Sequence, residues 1–360
     1  MPSRETFAYR RALRLRAQKA VDDTDSAIDT IFTRAQDDFL TFCTLMDKAP
    51  AHHMLEWHKH LITGVSNRYL LDIAGPNLDI LAPRGSAKST VLNMFTAWII
   101  GRHTSKGMPL QIIYCSYNIA TAIPKSRIIK QIIDSSSFKK IFPKVKLKAG
   151  MQSDIGWSID FDYAGIDRVG DEEFTLRAAG LRGSITSKRA HLVIVDDPIK
   201  SSADIKNPAV RDEMNNNWSS VIAPIVFEGG RSICLGTRFH PLDIHKTMFS
   251  PSKGWKQVSQ EALTYDSEGD AVSYWPEQWS VEYLQQQKEL DPVAFAFQYQ
   301  QQPVMTSDLV LSPDLIVKGE VETEFDSLAV GIDLSASKNE TSDYTAFVLG
   351  GRLKDKFYII

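Results

Sequence analysis

Three short segments carry side chains of the types and spacing that phosphoryl chemistry requires. In the first, Lys88, Ser89 and Thr90 follow the loop Pro83-Arg84-Gly85-Ser86-Ala87, which itself follows the apolar run Leu78–Leu81. A strand, a tight loop and a helix in that order curl backbone N–H groups around phosphate oxygens at the positive end of the helix. A lysine there reaches the β- and γ-phosphates, and a hydroxyl holds Mg²⁺. Lys88 and Ser89 would take those two roles, with Arg84 to Thr90 as the candidate ATP-binding stretch and Lys88 expected to stand exposed in the loop. Ala82 and Ala87 occupy both glycine positions of the usual G-x-x-x-x-G-K-[ST] pattern. Alanine is small enough for the loop to close, and the plain alternative for the segment alone is a basic helix start after a turn.

The second segment, Leu192-Val193-Ile194-Val195-Asp196-Asp197-Pro198, is an apolar strand ending in paired carboxylates. Phosphoryl transfer to water needs one acid to hold Mg²⁺ and another to orient and deprotonate the water. Asp196 suits the first role. Asp197 suits the second, with a shorter reach than glutamate. An acidic strand end capping a turn before Pro198 is the plain alternative, and it loses weight once the loop is set beside it. The third segment, Arg231 to His240, is a buried strand presenting Gly236, Thr237 and Arg238 at its end. A polar residue there, next to a γ-phosphate, can sense hydrolysis and pass the change to a DNA-gripping element. Alone it would read as an ordinary strand-to-loop turn.

The elements that position these residues alternate. Short β-branched runs at Leu78–Leu81, Gln111–Cys115, Leu192–Val195 and Ser232–Leu235 are separated by helical or polar stretches, among them residues 121–133, which predicts an α/β fold with a mainly parallel sheet covered by helices. Residues 143–180 are more polar and glycine-interrupted, which suggests an antiparallel extension. Upstream, residues 1–50 read as a helical segment, with Ile28, Ile31, Phe32, Ala35, Phe39 and Phe42 on one face. Its first nineteen residues carry a net +5, either a solvated helix face or a contact with DNA phosphates or a partner protein. Residues 51–318 would form the main domain, including a small aromatic and glutamine-rich subdomain at about 250–310 with a helix over Val281–Leu290. The acidic stretch 319–327 reads as a linker, and a new strand begins at Leu328. Internal repeats and low-complexity tracts are absent.

Composition narrows the function classes. The chain has 360 residues, 43% of them apolar and 24% charged, enough for a large core. Its longest apolar stretches, such as Phe95 to Ile100, fall far short of the roughly 20 residues that span a bilayer, so no membrane contact is expected. Cys43, Cys115 and Cys234 show no metal or disulfide spacing and are expected as reduced core residues of a cytosolic protein. A net charge of −3 excludes a protein that coats nucleic acid, and leaves only a local nucleic-acid patch.

Six segments together resemble the large terminase subunits of tailed phages, the ATP-driven motors that pump DNA into preformed capsids and cut it. They are Glu56 to Leu61, Leu81 to Thr90, Cys115 to Asn118, Ala178 to Lys200, Leu235 to His240 and Gly331 to Ala346, in the family's order over about residues 50–350. The resemblance implies a P-loop NTPase in which the deviant loop is Walker A, Arg84 reaches the γ-phosphate in cis, and Asp196-Asp197 is Walker B with its catalytic carboxylate. Should Arg84 not be the finger, Arg102, Arg182 and Arg189 follow as candidates. Thr237 and Arg238 resemble the coupling motif, and Trp57 and His58 resemble the region that contacts the adenine. Asp333 and Asp343 look like the opening hairpin of a ribonuclease-H-like nuclease that uses two Mg²⁺ or Mn²⁺ ions.

That family draws further nuclease acids from later strands, and this sequence ends at Ile360 within an apolar run, so it is expected to be a fragment or truncated product without nuclease activity of its own. The implied partners are double-stranded viral DNA, the portal protein, the small terminase subunit and further copies in a ring, in the host cytoplasm at the procapsid portal. Two rivals remain at this level. A superfamily-2 helicase would need a second RecA-like domain, for which residues 250–320 are too short. A catalytically inactive scaffold docking on portal or small subunit is permitted by the two glycine replacements and opposed by intact Lys88, Ser89, Asp196 and Asp197.

Overall fold

The computed structural model describes residues 24–48, 52–166, 174–183, 185, 188–302, 324–333, 346–354 and 356–359. The basic run Arg4 to Lys19, most of the linker and Asp343 lie outside them. Backbone contacts divide the chain into two units, Met1–Met305 and Thr306–Ile360.

The first unit opens with helices α1 (Thr24–Asp37) and α2 (Phe39–Leu45), broken at Asp38, whose carboxylate accepts from the N–H groups of Leu40 and Thr41 and so restarts the helix. After α3 (His52–Leu61) the chain alternates: β1 (Leu78–Leu81), α4 (Lys88–Ser105), β2 (Ile112–Ser116), α5 (Ile119–Asp134), α6 (Ser136–Ile141), β3 (Leu147–Gln152), β4 (Gly156–Ile159), β5 (Leu176–Gly180), β6 (Ala190–Asp196), α7 (Pro208–Asn217), β7 (Val226–Gly236), α8 (Ile244–Thr247) and β8 (Lys256–Ser259). The sheet order is β3-β4-β5-β2-β6-β7-β1-β8. Every pairing from β5 to β8 is parallel, and β3 and β4 add antiparallel at one edge, as the polar stretch 143–180 predicts. The fold is therefore α/β, with a mainly parallel sheet flanked by helices. β7 starts well before the expected Ser232, because Glu228, Gly229 and Gly230 in its exposed first half carry no apolar signal.

Parallel strands are covered on both faces, and their residues divide by alternation between two cores. Ile112, Tyr114, Leu192 and Ile194 face one core, with Phe39, Trp57, Phe95 and Trp98. Ile113, Cys115, Val193 and Val195 face the other, with Trp218, Phe249 and Trp255. Helix α4 is buried almost all round because α1, α2 and α5 surround its outer side. The cysteines are free and buried, and burial pushes the Cys115 thiol up to about 12. No described helix is long and apolar enough to cross a membrane.

After β8 come the hairpin β9 (Leu263–Tyr265) and β10 (Ala271–Ser273) and the helices α9 (Val281–Leu290) and α10 (Pro292–Gln298). They close a small third core around Leu263, Leu284 and Phe295, against which Trp279 and Tyr299 pack.

The second unit holds β11 (Ser327–Asp333), β12 (Ala346–Leu353) and β13 (Lys356–Ile359) in one antiparallel sheet of that order. This corrects the expectation of a single hairpin, since a tight turn at Lys354 (φ +52°) returns the chain as a third strand. Asp333 is the last residue of β11, opposite Ala346.

Arg231 ties the segment before β1 to the sheet. Its guanidinium is buried on β7 and donates to the carbonyl oxygens of Pro76, Leu61, Ile73 and His60, and burial lowers its pKa to about 10. Removing it leaves four carbonyl acceptors, two of them buried, without their donor. Arg231→Met should therefore cost about 3 kcal/mol or more of stability. Chemical denaturation giving a loss under about 1 kcal/mol would show that water replaces the guanidinium.

Candidate nucleotide site

The adjacency of β6, β7 and β1 brings the three candidate segments to one sheet edge, at the carboxyl ends of the strands, where open α/β sheets bind ligands. Leu81 lies opposite Gly236 and Asp196 opposite Leu235. Past the strand ends the ladder continues, Ala82 N–H donating to Gly236 O at 2.9 Å and Asp197 N–H to Leu235 O at 3.0 Å. A cleft of about 310 Å³ opens there, lined by Arg84, Gly85, Lys88, Tyr117, Lys125, Asp196, Asp197, Lys200 and Thr237 among others.

Asp196 is 1% exposed. Its Oδ1 accepts from Ser89 Oγ at 2.9 Å, while Oδ2 lies 3.2 Å from the Tyr114 hydroxyl and 3.2 Å from Lys125 Nζ. Burial and the neighbouring Asp197 push its pKa up, and Lys125 and Ser89 pull it down. Asp197 turns outward into the cleft through a left-handed backbone, φ +46°, with its carboxylate 3.8 Å from Lys88 Nζ. Ser89 and Asp196 thus offer hard oxygen donors side by side at a helix start, a donor set that fits Mg²⁺.

Lys88 corrects an expectation. It is 6% exposed rather than free in the loop. Its Nζ donates to Ala82 O (3.3 Å), Pro83 O (3.0 Å) and Thr237 Oγ1 (2.9 Å), and Thr237 Oγ1 donates to Ala82 O at 3.0 Å. The loop and the end of β7 are therefore tied through one ammonium and one hydroxyl. Arg238 turns away into its own loop, where its Nε donates to the buried Asp243 at 2.9 Å. Thr90 is exposed on α4, and Ser86 is buried beneath the loop.

The structure does not bring the proposed adenine contacts to the cleft. Trp57 is 0% exposed within the first core, and the His58 ring stacks on Phe39 of α2 with centroids 6.1 Å apart. Arg102 is likewise spent, paired with Asp37 and Asp72. Arg182, by contrast, donates to the hydroxyl of Tyr117 in the cleft and to Glu213.

Sequence reasoning missed two groups. Lys125 lies in α5, directly after the strand next to β6, so the strand order would have revealed it. The other group comes from the small third core. Arg84 N–H donates to Gln298 O (2.8 Å), its Nη1 donates to Gln298 Oε1 (3.2 Å), and Trp279 Nε1 donates to Gly85 O at 3.4 Å. No sequence signal links residues so far apart in the chain.

No protein-family model matches the chain, and no curated protein does. Solved structures with a similar fold include a mutant ATPase domain of the large terminase of Thermus phage P74-26, at 13% identity and TM-score 0.46, covering 73% of this chain and 98% of that one. The large terminase of a thermophilic bacteriophage in complex with ADP is similar at 11% identity and TM-score 0.41, with 86% of this chain and 66% of that chain covered. The packaging motor assembly of bacteriophage Phi-29 is similar at 14% identity and TM-score 0.32, covering 79% of this chain and 76% of that one.

The loop's two positive-φ residues differ in what they tolerate. A Cβ on Gly85 (φ +77°) would lie 2.6 Å from Trp279 Cζ2, whereas Ala87 (φ +62°) already carries one in the left-handed region. Gly85→Ala should cost about 2 kcal/mol. Ala87→Gly should stay within about 1 kcal/mol of neutral, because relief of strain offsets the gain in unfolded-state freedom. Denaturation curves for the pair check this, and equal losses would show that Trp279 does not brace the loop.

Proposed function

We propose that this chain is the ATP-hydrolysing motor subunit of a viral genome-packaging machine, translocating double-stranded DNA into procapsids. The observation that carries the reading is the convergence of Lys88, Ser89, Asp196, Asp197 and Thr237 on one cleft, from segments that no local structural need would bring together. The order of the six motifs supports the packaging class. Partners in this reading are the portal protein, the small terminase subunit and further copies in a ring, acting in the host cytoplasm. The same reading includes a nuclease, with Asp333 and Asp343 among the ligands of its Mg²⁺ or Mn²⁺ ions.

Mg²⁺ held by Ser89 and Asp196 would neutralise phosphate charge. The rest of the work falls to the chain. Lys88 exchanges two backbone carbonyls for phosphate oxygens, a favourable trade for an ammonium because the new acceptors are charged. Asp197, outside the metal pair and open to the cleft, orients a water and takes its proton. Thr237 shares Lys88, so a change at the γ-phosphate alters the hydrogen bonding of the coupling strand directly.

The division of labour is testable. Lys88→Ala should cut ATP hydrolysis by about a hundredfold or more and, because the ammonium also joins Ala82, Pro83 and Thr237, lower the melting temperature too. Asp196→Asn should weaken Mg²⁺-dependent nucleotide binding, whereas Asp197→Asn should keep binding and slow turnover. Near wild-type turnover in Lys88→Ala, or equal binding losses in the two aspartate variants, sinks the assignment.

Arg84 sits at the cleft with its guanidinium on Gln298, and it must leave that carbonyl to meet growing charge on the γ-phosphate. Arg84→Ala should then lower kcat by roughly 10³-fold with little effect on nucleotide affinity, and Arg84→Lys should remain impaired for want of the planar fork. A loss below about tenfold would move the finger to a neighbouring subunit.

A further inference from the structure

The ATPase reading gives no role to Lys125, a cation of the cleft that touches the buried Asp196. Lys125 Nζ lies 3.2 Å from Asp196 Oδ2, on the carboxylate edge opposite Ser89, and its side chain is 27% exposed while the aspartate is 1% exposed. Lys88 cannot replace it as counter-charge, because its Nζ is held by Ala82, Pro83 and Thr237. Lys125 is also mounted to move. It projects from the second turn of α5, a helix whose start is fixed by a reciprocal cap between Asn118 and Thr121, so a change of side-chain rotamer suffices to swing it within the cleft it lines.

Two cations cannot share this carboxylate comfortably. A divalent ion held by Asp196 would share a carboxylate with an ammonium already 3.2 Å from its Oδ2, and like charges at such short range repel by more than thermal energy even at protein-surface dielectric. The ammonium must leave as the metal enters, and the anions nearest to it are then the nucleotide phosphates. We propose that Lys125 and Mg²⁺ are alternative counter-cations of Asp196, and that Lys125, once displaced, binds the phosphate tail of the nucleotide. The exchange keeps the buried carboxylate neutralised in both arrangements and recruits a phosphate contact only when metal and nucleotide arrive together. This rests on the ATPase reading above.

The test separates the two roles by measuring binding rather than turnover. Mn²⁺ affinity is measured without nucleotide from the free-ion electron paramagnetic resonance signal. Affinity for a non-hydrolysable ATP analogue is measured by calorimetry at saturating Mg²⁺. Lys125→Met keeps the stem and removes the charge, so it should bind Mn²⁺ about tenfold more tightly and the analogue about tenfold more weakly. Lys125→Arg should stay within about twofold of wild type on both measures, and it serves as the folded control. Either affinity of Lys125→Met remaining within about twofold of wild type overturns the proposal. Lys88→Ala distinguishes that failure from failure of the ATPase reading. If wild type binds the analogue and Lys88→Ala does not, only the Lys125 proposal has failed; if wild type does not bind it at all, the ATPase reading itself has.

Discussion

The architecture of the cleft follows from the burial of one carboxylate. Asp196 ends a strand whose residues are all buried, and a charge in that position persists only with hydrogen bonds and a counter-cation. Each partner comes from a different element: Ser89 from the first turn of α4, the Tyr114 hydroxyl from β2, and the Lys125 ammonium from α5. That requirement ties the start of α4, the strand beside β6 and the helix after it to a single atom group. A sheet order that moved β2 away from β6 would strand the charge. The neighbouring Asp197 escapes the problem by leaving the strand through a left-handed turn and facing solvent.

The loop itself is held from above as well as below. Lys88 and Thr237 fasten it to the sheet edge, while Gln298 and Trp279 fasten Arg84 and Gly85 to the small third core. A loop with alanine in place of both glycines can afford the strained Ala87 because its ends are determined on both sides. Arg84 is thus positioned by a region that contributes nothing to the sheet, and a movement of that region would shift the Arg84 backbone through its N–H bond to Gln298 O.

The legible part of this molecule was the part with local signals. Leu78–Leu81 and Leu192–Val195 announce buried parallel strands because both-face burial writes continuous apolar runs, and the helix start at Lys88 follows the first of them as its sequence pattern predicts. Exposure was not legible: Lys88 looked free because its two carbonyl acceptors are backbone, invisible in a side-chain pattern. Trp57 and His58 were expected at an adenine through the resemblance alone, and the competing demand, burial of Trp57 in the first core and stacking of His58 on Phe39, depends on helices whose approach no periodicity reports. Lys125 went unnoticed for a related reason, since its partner lies on a strand adjacent in space and distant in sequence.

The same distance rule extends beneath the cleft. Asp79 on β1 is fully buried and accepts from the His245 ring at 3.0 Å and from Gln257 at 2.9 Å. Burial works against charge on His245 and the Asp79 carboxylate overcomes it, so the imidazole pKa is raised. The ring lies so close under Gly236 that a Cβ there would stand 2.6 Å from it, which is why the strand leading to Thr237 carries a glycine at that point. Two residues earlier in the chain, Asp243 holds Arg238. The short helix α8 therefore joins β1 through the His245–Asp79 hydrogen bond, while its capping residue Asp243 holds Arg238 in the loop that follows β7. A displacement of Thr237 cannot stay local: it must be carried by β1, by α8, or by both.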